Sequence, residues 1–196
     1  MTTVSKHKFR ISYSKTTFIH KAIANCAFGL KEKILKKEQE GAKEGLAHDY
    51  WSCLIFIAYW QEALLNYFFS VKPDLAPKLD KFPLMLNVVA AHIRMDFSKG
   101  SDNRKLLYEL REIRNGTAHG KPITKRKGVE IEGTFEEAEQ KAKELDEDWF
   151  DDIMKPDFLN TQYNLTEALE ESILEALGID YSAVATGSVT EIKQLA

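Results

Sequence analysis

Residues 49–71 constrain the fold more than any other stretch of this chain. Nearly every face of the segment is apolar, through Trp51, Leu54, Ile55, Phe56, Tyr59, Trp60, Leu64, Leu65, Phe68 and Phe69. A helix with no polar side must be surrounded by other elements. Its most apolar run, residues 53–60, is followed at once by Gln61, Glu62 and Asn66. Such a run is too short and too interrupted to cross a bilayer, so the segment is expected at the centre of a soluble helical bundle.

The flanking sequence supplies partners for that centre. Ile19, Ile23, Cys26, Leu30 and Ile34 recur at helical spacing and predict a first helix over about 15–40, its outer face rich in lysine and its end set by Gly41 and Gly45. Pro73, Pro77 and Pro83 punctuate a connector, and a third helix is expected over about 84–97. A fourth, over about 102–114, turns Leu106, Leu107, Leu110 and Ile113 inward. Residues 123–133 alternate loosely around Lys127 and Gly128, the pattern of a small hairpin. Thr134 and Glu137 form a capping box for an acidic helix to about 152, with Trp149 and Phe150 as anchors. Asn164 and Glu167 have the same spacing and predict the start of a last helix, with Leu165, Leu169, Ile173 and Leu177 in a stripe and Gly178 as its stop. Residues 181–196 read as a loose tail. The expected fold is all-α, an antiparallel bundle in one domain over 1–180, with a core at 15–120 and an acidic extension at 134–180.

Charge is unevenly spread over the 196 residues. Residues 1–130 hold 23 Lys+Arg against 13 Asp+Glu, and residues 131–196 hold 4 against 17. A basic body suits a polyanion partner. The acidic end is open to three readings: a solvated surface, a cover folded on the basic body, or a barrier to nucleic acid until displaced. The first residues lack an apolar signal core, and Cys26 and Cys53 have no partner at metal-ligand spacing. Both cysteines are expected to be reduced core residues of a cytoplasmic protein.

The chemistry concentrates in residues 111–121. Arg114, Asn115 and His119 fall where the leucine stripe must end, because Gly116 and Gly120 are poor helix formers and Pro122 disfavours helix before it. A guanidinium never loses its charge and grips phosphate with a planar fork. An imidazole with a pKa near ~6.5 both takes and gives protons at neutral pH. Together they are a minimal kit for breaking a phosphodiester.

Arg114-Asn115-x-x-x-His119-Gly120, at the end of an amphipathic helix, resembles the Arg-x(4–6)-His signature of the HEPN superfamily (higher eukaryotes and prokaryotes nucleotide-binding). The resemblance covers about residues 15–120. It implies a bundle of four or five helices and, for many members, a metal-independent endoribonuclease acting as a homodimer with two motifs facing one another. It also implies cleavage by the ribose 2′-hydroxyl, leaving 2′,3′-cyclic phosphate ends. Glu62 matches the acidic residue that the family often carries on its second helix. An ion pair from Glu62 to Arg111 or Arg114, orienting the arginine, is weighed against plain exposure at the bundle edge. Asn115 is expected to orient the His119 ring. Lys121, Lys125, Arg126 and Lys127 are candidate RNA-backbone contacts, as are the lysines of the first helix.

No metal and no cofactor is expected at the motif. Asp146, Asp148, Asp151 and Asp152 could gather around Mg²⁺, but an acidic solvated helix accounts for them more simply. His20, His48 and His92 are isolated and read as structural or surface residues. The sequence has no phosphate-cradling glycine loop, nucleophile elbow or zinc pattern. The expected partner is RNA, with no membrane, and a cognate antitoxin or regulatory protein if the role is that of a toxin or phage-defence effector. The alternative is a non-catalytic helical module that holds a nucleotide or a protein in the same cleft.

Overall fold

The structure is a computed structural model that describes residues 8–16, 18–77, 81–119, 129–145, 153–181 and 187–195; side chains are described for 18–77, 81–118, 129–141 and 153–181. It is an all-α fold with one added ribbon. The elements in order are β1 (Lys8–Thr16), α1 (Ile19–Glu40), α2 (Leu46–Val71), a 3₁₀ turn (Pro73–Leu75), α3 (Phe82–Ala90), α4 (Asp102–His119), α5 (Phe135–Leu145), α6 (Pro156–Leu177) and β2 (Gly187–Leu195).

α2 is the hub, packed against α1, α3, α4 and α6. Tyr50, Cys53, Leu54, Ile57, Trp60, Leu64, Leu65 and Phe68 are buried along it, as its sequence requires. By length and composition α2 could cross a membrane, yet 50% of that stretch is buried within the bundle. Full burial of one Leu, Ile or Phe side chain contributes about 1.5–3 kcal/mol, so this one helix anchors the whole core.

Several boundaries differ from the sequence reading, each for a local reason. α1 begins at Ile19, because Lys8–Thr16 pairs antiparallel with Gly187–Leu195, from Lys8 opposite Leu195 to Thr16 opposite Gly187. Residues 187–195, expected as a loose tail, are thus a strand. The hairpin expected at 123–133 lies largely outside the described residues, and the described part, 129–133, holds no strand.

The inward face of α1 keeps Ile34, with Ile23 and Leu30 packed against the core, but its first half is centred one residue further on. His20, Ala24, Ala27 and Ile34 are buried, whereas Ile19 is 63% exposed and Cys26 is exposed. The alanines let α1 approach α2 closely enough for the Cys53 thiol to reach the Ala27 carbonyl at 3.3 Å. Burial pushes the Cys53 thiol up to about 12. Cys53 is the core cysteine that the sequence suggested, and Cys26 is not.

α3 stops at Ala90 rather than near Phe97. Asp96 accepts the Ser98 amide at 2.8 Å, and its carbonyl accepts Ser101 and Asn103. Arg104 donates to the Phe97 carbonyl at 3.0 Å and to Asn87 at 2.7 Å. These side-chain bonds to backbone outcompete the helix.

α6 starts eight residues before the expected cap, with Pro156 in its first turn and Lys155 as N-cap, so that Asn164 and Glu167 lie inside it. Gly178 at φ 66° ends it as expected, with the Ile179 amide on the Leu174 carbonyl. α6 buries Leu159, Leu165, Leu169 and Ile173 against α2 and α4. It is a core helix, not an appended acidic extension. The Thr134 capping box forms as read, with the Thr134 amide on Glu137 at 2.7 Å and the Glu137 amide on the Thr134 hydroxyl at 3.3 Å. Trp149, Phe150 and the four aspartates at 146, 148, 151 and 152 lie outside the described residues.

Candidate functional site

α4 carries the candidate site, and it runs further than the sequence suggested. Helix continues from Arg114 through Gly116 to His119. A glycine inside a helix costs about 1 kcal/mol relative to alanine, too little to stop a helix already docked on α2 by Leu107, Leu110 and Ile113. The Thr117 hydroxyl also bonds back to the Ile113 carbonyl at 2.9 Å.

Arg114 emerges where α4 crosses α2. Its Nη2 donates to Glu62 Oε2 at 2.7 Å, and its Nη1 donates to the Asn115 carboxamide oxygen at 2.9 Å. The guanidinium carbon stands 5.1 Å from the centre of the Tyr59 ring, within cation–π range. The side chains of Arg114 and Glu62 are 25% and 44% exposed, so the pair is fixed in direction yet open to solvent on one side. Of the two partners expected for Glu62, the structure selects Arg114. Arg111 lies instead with its guanidinium carbon 5.0 Å from the Phe82 ring. Asn115 holds the arginine, a role that the sequence reading gave to Glu62 alone.

The backbone places position 119 at the last turn of the same helix. At about 100° per residue, positions 115 and 119 share a face, while 114 and 119 stand about 140° apart around the axis. The His119 side chain lies outside the described set, as do Lys121, Lys125, Arg126 and Lys127.

The lysines of α1 are mostly engaged within the protein. Lys33 and Lys37 each meet an oxygen of Asp49 at 2.7 Å, and these bonds hold the Asp49 carboxyl below its usual range. Lys31 stands 4.2 Å over the Tyr163 ring, Lys36 pairs with Glu40 at 3.8 Å, and Lys21 pairs with Glu170 at 2.9 Å. The basic face of α1 is therefore a weaker polyanion surface than its sequence implies.

Sequence reasoning missed a buried polar line along α6. Gln162, Thr166 and Glu170, spaced by four, are each at most 1% exposed. Gln162 donates to the Leu106 carbonyl of α4 at 3.1 Å, and Gln61 of α2 donates to Thr166 at 2.9 Å. This line ties together α2, α4 and α6 next to Glu62. Glu170 closes it at α1, with Lys21 at 2.9 Å and His20 at 3.5 Å. Burial lowers the His20 imidazole to about 4, helped by the Lys21 charge, and raises the Glu170 carboxyl despite Lys21. His20 is thus a buried neutral ring, the structural alternative of the sequence reading. The periodic signal was present, since polar residues at i, i+4 and i+8 alternate with the leucine stripe. Among the described residues, no group of three or more His, Cys, Asp or Glu side chains forms a metal cluster.

Comparison with protein-family models, with curated proteins and with solved structures found no match.

Proposed function

We propose that this chain is a HEPN-type, metal-independent endoribonuclease that acts as a homodimer. One observation carries the reading: a guanidinium at a helix end, aimed by Glu62 at 2.7 Å and Asn115 at 2.9 Å, yet a quarter exposed, with a histidine one turn further on. The pair of orienting groups leaves Arg114 pre-organised for a phosphate, so little side-chain entropy remains to be lost on binding. His119 takes the proton from the ribose 2′-hydroxyl as that oxygen attacks phosphorus. The 5′-oxygen leaves with a proton from the second histidine, and the RNA ends in a 2′,3′-cyclic phosphate and a 5′-hydroxyl. Positions 114 and 119 diverge around α4, so the reading requires a second copy, with the two motifs facing one another across the dimer. A role as a toxin or phage-defence effector, with an antitoxin or regulatory protein as partner, is part of the same proposal.

A second reading has an observation of its own. Glu62 and Asn115 already take donors of the Arg114 fork, which leaves fewer for a transition state and suits an arginine that shapes the cleft of a non-catalytic module. A mixed-sequence RNA incubated in EDTA with wild type and with His119→Ala separates the two. Cleavage by wild type alone supports the nuclease. Binding without turnover, or equal cleavage by both, supports the holding module.

A further inference from the structure

A cavity of about 420 Å³ opens between the start of α1 and the outer face of α2, outside the Arg114 site. Phe18, His20 and Tyr67 form its aromatic wall, Ala63 lines it, and Asn66 and Ser70 stand exposed at its rim. The wall is a packed unit. The Phe18 ring meets Tyr67 edge-on at 5.9 Å, and the His20 and Tyr67 rings lie 4.4 Å apart. Lys21, paired with buried Glu170 at 2.9 Å, fixes this turn of α1 to α6. The volume falls in the range of small-ligand pockets, about 300–1,000 Å³.

The position of the cavity says what it would hold. Ala63 follows Glu62 directly, and Asn66 lies one helical turn beyond it, about 6 Å along α2. Glu62 holds Arg114 at 2.7 Å. The helix that holds Arg114 through Glu62 thus also lines the cavity, so a chain with its phosphate on Arg114 has α2 as the shared surface along which a neighbouring nucleotide would lie. Aromatic faces take up any base by stacking, whereas a carboxamide distinguishes bases by their donor and acceptor pattern. The Ser70 hydroxyl donates to the Tyr67 carbonyl at 2.7 Å, which leaves its oxygen to accept a bond from a ligand.

We infer that this cavity is a nucleobase subsite for the nucleotide beside the scissile phosphate, in which one face of the Phe18–Tyr67 pair stacks the base, the perpendicular ring borders it, and Asn66 reads its edge. The inference rests on the proposed nuclease site for the placement of the phosphate. It assigns base selectivity to α2 rather than to the motif.

The test measures binding, so that it does not depend on turnover. RNA hexanucleotides of each base, with 2′-methoxy groups that remove the attacking oxygen, are titrated against wild type, Asn66→Ala and Ala63→Leu. Wild type should favour one base over the poorest by about tenfold, Asn66→Ala should level the four, and Ala63→Leu should weaken the favoured base by about tenfold. Equal affinities for all four in wild type, or a preference that survives both substitutions, overturns the subsite. A shift in oligomeric state in both variants, with base preference unchanged, assigns the cavity to a second copy and also overturns it. Failure of RNA cleavage with the base preference intact would sink the nuclease reading alone.

Discussion

Two of the cation–carboxylate pairs in this bundle differ in almost everything except charge. Lys21 and Glu170 meet at 2.9 Å, with side chains 14% and 1% exposed, beside the neutral ring of His20. Arg114 and Glu62 meet at 2.7 Å, with side chains 25% and 44% exposed, beside the Tyr59 ring over which the guanidinium lies. The buried pair cannot exchange partners, because each charge taken alone would face several kcal/mol of desolvation. The half-exposed pair can, because water and a phosphate oxygen both reach it at little cost. The first arrangement therefore holds helices, and the second suits chemistry.

The contrast can be broken in order of size. Glu170→Ala should cost about 3 kcal/mol, since it leaves the largely covered Lys21 without its carboxylate; urea unfolding measures it, and a loss under about 1 kcal/mol would erase the distinction. Arg114→Ala should lower metal-free RNA cleavage by roughly a hundred- to a thousandfold while the melting temperature moves little. An unfolded variant, or an unchanged rate, would place Arg114 with the structural pair.

The third effect depends on pH. The His20 pKa falls from 6.5 in the unfolded chain to about 4 in the fold, so below pH 6.5 the unfolded state binds the extra proton. Stability is complete above pH 6.5 and declines as pH falls toward 4. The raised pKa of Glu170 works in the opposite sense, as the folded state there takes its proton first. The histidine contribution at pH 5 is roughly 2 kcal/mol, read as the difference between wild type and His20→Phe in unfolding at pH 7 and pH 5. Parallel pH curves for the two proteins would refute it. The smallest stability effect belongs to Glu62→Gln, under about 1 kcal/mol, together with a drop in cleavage as the arginine loses its aim. A large stability loss there would make the two pairs alike.

Much of the site could be read directly from residue types. Arg114 and Asn115 announce themselves as neighbours at the end of a leucine stripe, and Glu62 is an acid on an otherwise apolar helix that needs a cation. The end of α4 was less legible, because propensity at Gly116 weighs less than the packing of the preceding turns. The α6 line was hidden for a different reason. Gln162, Thr166 and Glu170 look like a solvated face until Gln61, Leu106 and Lys21 are seen to meet them.

Sequence alone determined that residues 49–71 form an apolar helix that must be surrounded, and packing against α1, α3, α4 and α6 places it at the centre of the bundle. It also determined the stop of α6 at Gly178, where a left-handed residue is required. Tertiary structure alone decided that Ala24 and Ala27, rather than Ile19 and Cys26, centre the buried face of α1, since adjacent positions compete and the small side chains allow closer approach to α2. It likewise decided that 8–16 and 187–195 pair with each other, since strand pairing between distant segments leaves no local pattern. And it chose Arg114 over Arg111 as the partner of Glu62, because the two differ in where the crossing of α4 on α2 points them.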